Sequence, residues 1–61
     1  MKSSELIRRV KAQGWVEIRQ TGSHKIFAHK DFSYSLPVPD HGSKEVAKGT
    51  AISIMKRAGL K

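Results

Sequence analysis

The chain has 61 residues and no cysteine, so it has room for one domain and lacks both a disulfide framework and a cysteine-based zinc site. Twelve Lys and Arg face five Asp and Glu, which gives a formal net charge of +7 at pH 7. Such a charge on so short a chain favours a polyanionic partner: nucleic acid first, then a membrane surface or an acidic protein. No apolar run is long enough for a signal peptide or a membrane span, and we expect a single domain of the reducing cytoplasm covering residues 1–61.

The first predicted element is a helix that begins at Ser3 and Ser4. Either hydroxyl would cap the unpaired amides of the first turn. An apolar stripe at helical spacing follows, formed by Leu6, Ile7 and Val10. Gly14 predicts the end of this helix, since glycine is common just beyond a helix C-cap.

Two strands are predicted next. Residues 15–20 alternate in polarity, which predicts a half-buried strand with Val16 and Ile18 on its buried face. A short turn at residues 21–23 leads into a second strand over residues 24–29.

The third strand is predicted from Tyr34, Leu36 and Val38, which alternate with other residues and should therefore share a buried face. Pro37 has no amide hydrogen, so this strand should lie at an edge of the sheet or contain a bulge. Residues 39–49 are expected to be irregular.

A last helix is predicted to be capped by Thr50. Its apolar face consists of Ala51, Ile54, Met55 and Ala58. Gly59 should end this helix, with Leu60 folding back on it. The order α-β-β-β-α predicts an α+β fold in which a three-stranded antiparallel sheet carries both helices on one face. The other face would be open to a partner.

His24 is the residue that most strongly indicates chemistry, because it follows Gly22-Ser23 at the mouth of the predicted hairpin. An unperturbed histidine has a pKa near ~6.5 and exchanges protons at neutral pH. RNA is cleaved without metal when a base removes the 2′-hydroxyl proton and an acid protonates the leaving 5′-oxygen. The amides of Gly22 and Ser23 would form a small anion-binding nest. The alternative is that His24 is only a polar residue at a strand start.

The other histidines are weaker candidates. His41, beside Asp40, would be the second proton-transfer group if its loop folds back to the hairpin; otherwise it is an ordinary loop residue. His29 is expected to be exposed at the end of the second strand. The histidine spacings match none of the common zinc patterns, so neither a metal nor a cofactor is expected.

Basic and aromatic residues supply candidate RNA contacts. The cations considered for phosphate binding are Arg8, Arg9, Arg19, Lys25, Lys44, Lys48, Lys56 and Arg57. Lys48-Gly49-Thr50 is the most specific of these elements, because it places a cation and unpaired amides at a helix N-terminus. Trp15 and Tyr34 could stack on unpaired bases, but core packing is the favoured interpretation for both.

These elements together resemble the HicA family of small toxins from bacterial and archaeal toxin–antitoxin modules. The resemblance covers nearly the whole chain. Its matching elements are Gly14-Trp15, Arg19-Gln20-Thr21-Gly22-Ser23-His24, Val38-Pro39 with His41, and Lys48-Gly49-Thr50 opening a helix that ends in Lys56-Arg57-Ala58-Gly59-Leu60.

The resemblance implies a fold like that of a double-stranded-RNA-binding domain. It implies a metal-independent mRNA endoribonuclease that arrests translation and growth, with His24 as the essential histidine and a HicB-like antitoxin as partner. The residues expected to contact single-stranded RNA are Gly22, Ser23, Lys25, Arg19, Lys48 and Thr50. Two alternatives stay open: a non-catalytic RNA-binding module of the same fold, and a protein whose basic surface serves an acidic partner.

Overall fold

A computed structural model describes residues 1–60 of the chain. Its elements in chain order are α1 (Ser3–Ala12), β1 (Val16–Thr21), β2 (His24–Ala28), β3 (Leu36–Pro39) and α2 (Lys48–Arg57). The strands form one antiparallel sheet in the order β1-β2-β3. The predicted α+β class, its α-β-β-β-α order and its likeness to the double-stranded-RNA-binding-domain fold are confirmed. No helix in the described part of the chain is long and apolar enough to cross a membrane.

The hydrophobic core lies between one face of the sheet and both helices, as predicted. Phe27, Leu36 and Val38 supply its sheet side and are each fully buried. The helices contribute Leu6, Ile7, Val10, Ala51 and Ile54. Trp15 is 2% exposed, and its indole N–H donates to the carbonyl of Ala58 at 3.0 Å. Core packing, rather than stacking on bases, is therefore the role of Trp15.

The start of α1 is stabilised in a way the sequence did not indicate. The expectation of a serine cap is wrong: the N-cap residue is Lys2, and no side chain caps the helix. Instead, the amides of Ser3 and Ser4 donate to the carbonyls of Lys44 and Gly42, each at 2.9 Å. The loop that precedes α2 therefore wraps around the N-terminus of α1 and satisfies its amides.

β1 presents its apolar residues to the open face of the sheet. Val16 is 64% exposed and Ile18 is 54% exposed, so the expectation that they face the core is wrong. Glu17 lies directly opposite the buried Phe27, and opposite residues share a face. A bulge between Glu17 and Arg19 then shifts the register. The predicted face of Val16 is therefore wrong, and the predicted pairing of Glu17 with Arg19 on one face is wrong too, because the bulge places Arg19 opposite Ile26.

Tyr34 is not a core residue of the third strand, contrary to the prediction. β3 begins only at Leu36, and Tyr34 lies in the preceding loop with 41% of its surface exposed. Phe32 occupies the space beside Trp15 instead, with ring centroids 4.8 Å apart. The aromatic contact to the core therefore comes from the loop between β2 and β3.

α2 begins two residues before the predicted cap. Its N-cap residue is Ala47 without a side-chain cap bond, so Thr50 lies inside the first turn and does not cap. The predicted end is confirmed, because Gly59 has φ +82° and the amide of Leu60 donates to the carbonyl of Met55 at 2.8 Å. Thr50 is therefore available for contacts outside its own helix.

Candidate active site

The hairpin between β1 and β2 determines where His24 lies. Its turn has two residues, Gly22 and Ser23, and the pair Thr21 and His24 closes it. Gly22 has φ +58°, whereas no non-glycine residue in the described part of the chain has a positive φ. This is the pattern of a type II′ turn, which demands glycine at its first central position. His24 is consequently the first residue of β2, directly after the turn.

His24 lines a surface groove of about 700 Å³ between β3 and α2. His41, from the loop after β3, lines the same groove, and so does Thr50 from the first turn of α2. Other lining residues are Pro37, Pro39, Gly49, Ser53 and Arg57. Three of the residues predicted from the sequence, His24, His41 and Thr50, are thus brought together from three separate elements.

The segment after β3 folds back onto the hairpin. This is the condition under which His41 was predicted to be the second proton-transfer group. Pro39 is the cross-strand partner of His24. The amide of Asp40 donates to the carbonyl of Ser23 at 2.6 Å. The backbone that carries His41 is therefore hydrogen-bonded to the turn that carries His24.

Arg57 supplies a cation to this groove. Its guanidinium carbon lies 5.6 Å from the centroid of the Tyr34 ring, and the Tyr34 hydroxyl donates to the carbonyl of Arg57. A cation held over an aromatic ring gains about 0.5–1 kcal/mol at an exposed site. Sequence reasoning missed Ser53 and left Arg57 among many cations. The spacing of three and four residues from Thr50 to Ser53 to Arg57 would have predicted their common helix face.

Lys25 lies outside the groove and is engaged by two carboxylates. As expected for the residue after His24 in a strand, it points to the opposite face. Its ammonium nitrogen is 3.2 Å from Glu17 Oε1 and 3.7 Å from Asp40 Oδ2. The hydrogen bond to Glu17 is the largest cause of a raised pKa for Lys25. Lys25 therefore links β1 and β2 to the segment that carries His41.

The other predicted RNA contacts do not line the groove. Arg19 is exposed on β1 opposite Ile26, and Lys48 is exposed at the first position of α2. Gly22 and Ser23 are exposed at the hairpin turn. Contact of these four residues with RNA stays a prediction.

His29 is half-buried rather than exposed, which corrects the prediction. Its side chain is 9% exposed, and Nδ1 accepts the amide hydrogen of Asp31 at 3.0 Å. Nε2 lies 3.1 Å from the carbonyl oxygen of Gln13, and the ring packs edge-on against Phe32. His29 thus joins the end of β2 to the end of α1. Within residues 1–60, no three His, Cys, Asp or Glu side chains are grouped closely enough to hold a metal ion.

Fold and groove together define a small basic α+β domain with two histidines in a surface groove. Comparison with known proteins gives a more specific result. The model of a family described as the HicA toxin of bacterial toxin–antitoxin systems matches residues 3–60. A protein of Pseudomonas fluorescens (strain Pf0-1) named "Probable mRNA interferase HicA" is 48% identical over 61 residues, which cover 100% of this chain and 98% of that protein. The chain belongs to the HicA toxin family, and the resemblance seen in its sequence is confirmed.

Proposed function

We propose that this protein is the toxin of a toxin–antitoxin system and acts as a metal-independent endoribonuclease that cleaves mRNA. The observation that carries the proposal is the shared groove of His24 and His41, two residues that are 17 positions apart in the chain. Membership of the HicA toxin family supports it, and so does the name of the Pseudomonas relative, an mRNA interferase. Cleavage of mRNA would arrest translation and growth, and it would take place in the cytoplasm.

The proposed reaction uses the 2′-hydroxyl of the RNA as the nucleophile. His24 and His41 act on the same phosphate, one as base and the other as acid. The base takes the 2′-hydroxyl proton while the 2′-oxygen forms a bond to phosphorus. The bond from phosphorus to the 5′-oxygen breaks, and the acid gives that oxygen a proton. The products are a 2′,3′-cyclic phosphate and a 5′-hydroxyl. Proton transfer of this kind contributes typically about 10²–10⁴-fold.

The negative charge that develops on the phosphate needs positive partners in the groove. Arg57 is one of them. The first turn of α2 is another, because it contains no acidic residue and has no side-chain cap to occupy its amides. Glu45 also lines the groove, but it is bound to the amino terminus at 2.8 Å, and this hydrogen bond lowers the pKa of its carboxyl.

The groove that contains His24 also indicates the kind of RNA substrate and the kind of partner protein. A groove open to solvent on a chain of charge +7 suits an extended single strand of RNA, and unpaired RNA leaves the 2′-hydroxyl able to line up for attack. A toxin also requires neutralisation in its own cell, and a HicB-like antitoxin that covers the His24 groove would provide it. An acidic surface on that antitoxin would complement the charge of the toxin.

Incubation of the purified protein with single-stranded RNA in the presence of EDTA tests the proposed reaction. We expect RNA fragments that end in a 2′,3′-cyclic phosphate, and no cleavage of the same strand made with 2′-deoxynucleotides. Intact RNA despite measurable binding would overturn the proposal in favour of the non-catalytic RNA-binding module. Cleavage of the deoxy strand would contradict the attack by the 2′-hydroxyl.

A growth assay tests the toxin role. Expression of the wild-type protein should arrest growth, and His24→Ala should restore it while the folded protein accumulates. Thr21→Ala is a matched control, because Thr21 is the exposed cross-strand partner of His24 and lies outside the groove. Co-expression of a HicB-like antitoxin should also restore growth. Arrest by a folded His24→Ala variant would contradict the assigned role.

A further inference from the structure

Ser3 is a fully buried polar residue whose hydroxyl connects distant parts of the chain. It donates a hydrogen bond to the carbonyl of Pro39 and accepts one from the amide of His41 at 3.1 Å. These bonds span 36 and 38 residues of sequence, from the start of α1 to the segment after β3. Loss of the hydroxyl would leave the carbonyl of Pro39 and the amide of His41 without this hydrogen-bond partner, which is costly for buried groups. The two bonds therefore fix the positions of both backbone groups.

Both partners of Ser3 belong to the wall of the groove that carries His24. Pro39 is paired with His24 in the sheet, and His41 lines the groove two residues later. The amide between them donates to the hairpin turn. The backbones of Pro39, Asp40 and His41 are therefore each held by a hydrogen bond. The Ser3 hydroxyl makes the bonds to Pro39 and His41.

We propose that Ser3 is a positioning residue, which holds the backbone of His41 so that its imidazole shares one phosphate with His24. This inference rests on the proposed function, because Ser3 has such a role only if both histidines act on the RNA. Ser3 is too deeply buried to touch the substrate and acts through His41. Correct placement matters, since a displacement of about 1 Å can reduce a rate by about 10²-fold.

A double-mutant cycle tests this role. Ser3→Ala should lower the single-turnover cleavage rate by about 10- to 100-fold at unchanged RNA affinity. In a His41→Ala background the same change should have no further effect, because its influence passes through His41. Rate losses that add up in the double variant would show a general structural role and overturn the proposal. A Ser3→Ala variant with the wild-type rate would overturn it too.

Ser4→Ala is the matched control. Ser4 is the exposed neighbour of Ser3 on α1, and its bond to the loop uses the backbone amide, which alanine keeps. We expect the wild-type cleavage rate for this variant. An equal loss of rate in Ser4→Ala and Ser3→Ala would contradict a specific role of the buried hydroxyl.

Amide hydrogen exchange of the wild-type protein needs no variant, so it tests the hydrogen bond on which the inference depends even if Ser3→Ala does not fold. We expect the amide of His41 to exchange at least about tenfold more slowly than that of Ser43, which donates no hydrogen bond within residues 1–60. Equal exchange rates would overturn the inference. Wild-type protein that cleaves no RNA would overturn the proposed function and this inference together, whereas unaltered cleavage by Ser3→Ala would overturn the inference alone.

Discussion

Substitution of Gly14 by alanine should destabilise the fold through two local effects. Gly14 has φ +107°, a conformation that residues with a side chain rarely adopt, and forcing alanine into it costs about 1–3 kcal/mol. A Cβ atom at this position would also lie 2.9 Å from Nε2 of His29. The His29 ring cannot easily move away, because both its nitrogens are engaged and it packs against Trp15 and Phe32.

The magnitude follows from these two contributions. If the ring is displaced, its hydrogen bond to the carbonyl of Gln13 is lost, at a further cost of about 0.5–1.5 kcal/mol. We therefore expect Gly14→Ala to lower the free energy of unfolding by about 1.5–4.5 kcal/mol. For a domain of this size each kcal/mol corresponds to about 4–8 °C in Tm, so the loss should be obvious in thermal and urea unfolding followed by circular dichroism.

Gly49→Ala is the matched control for this prediction. Gly49 lies in the first turn of α2 with a negative φ, and an added Cβ would meet no atom within 4 Å. Alanine should therefore leave the stability unchanged or raise it by up to about 1 kcal/mol. If Gly14→Ala unfolds at the wild-type denaturant concentration, the described contact between the end of α1 and His29 is wrong.

Three further predictions concern the core, the Lys25 cluster and the open face of the sheet. Trp15→Phe removes the donor to the buried carbonyl of Ala58 and should cost about 1–3 kcal/mol in urea unfolding; a loss under 0.5 kcal/mol would contradict that bond. Because the folded-state pKa of Lys25 is raised by Glu17, the stability contributed by its charge is complete below the unfolded pKa near 10.5 and is lost as the pH rises through the folded value. The stability difference between wild type and Lys25→Met should thus shrink in strongly alkaline solution, and a constant difference would refute the ion pair. Ile18→Thr should change stability by no more than about 0.5 kcal/mol, since Ile18 is 54% exposed, whereas a core position would lose several times more.

The elements of the fold were predictable where a single residue decides the local structure. Gly14 and Gly59 both have positive φ and end their helices as expected. The face of β1 was not predictable, because Val16 and Ile18 have the composition of a buried strand face and only the pairing of Glu17 with Phe27 reveals the true orientation. A polarity pattern says neither which side of a strand packs against the helices nor where a bulge interrupts the alternation.

The candidate site was predictable in part for the same reason. The Gly-Ser-His element indicated His24, because a turn that demands glycine places the histidine at the first position of a strand. The meeting of His24 with Thr50 depends on how the loop from Asp40 to Ala47 wraps around the N-terminus of α1, and no local pattern encodes this path. Ser3 is the clearest example of a contact that the local sequence does not predict. A serine at a helix start predicts a cap, whereas the Ser3 hydroxyl bonds to a segment more than 35 residues away.

The role of His24 in proton transfer is tested most directly by the rate of the chemical step. Single-turnover cleavage of one single-stranded RNA should be measured in EDTA at saturating protein, with wild type and with His24→Ala. We expect His24→Ala to bind the RNA with wild-type affinity, to keep the wild-type circular dichroism spectrum, and to cleave about 10²–10⁴-fold more slowly. Cleavage at the wild-type rate by the folded variant would contradict the assignment of His24 as a proton-transfer residue.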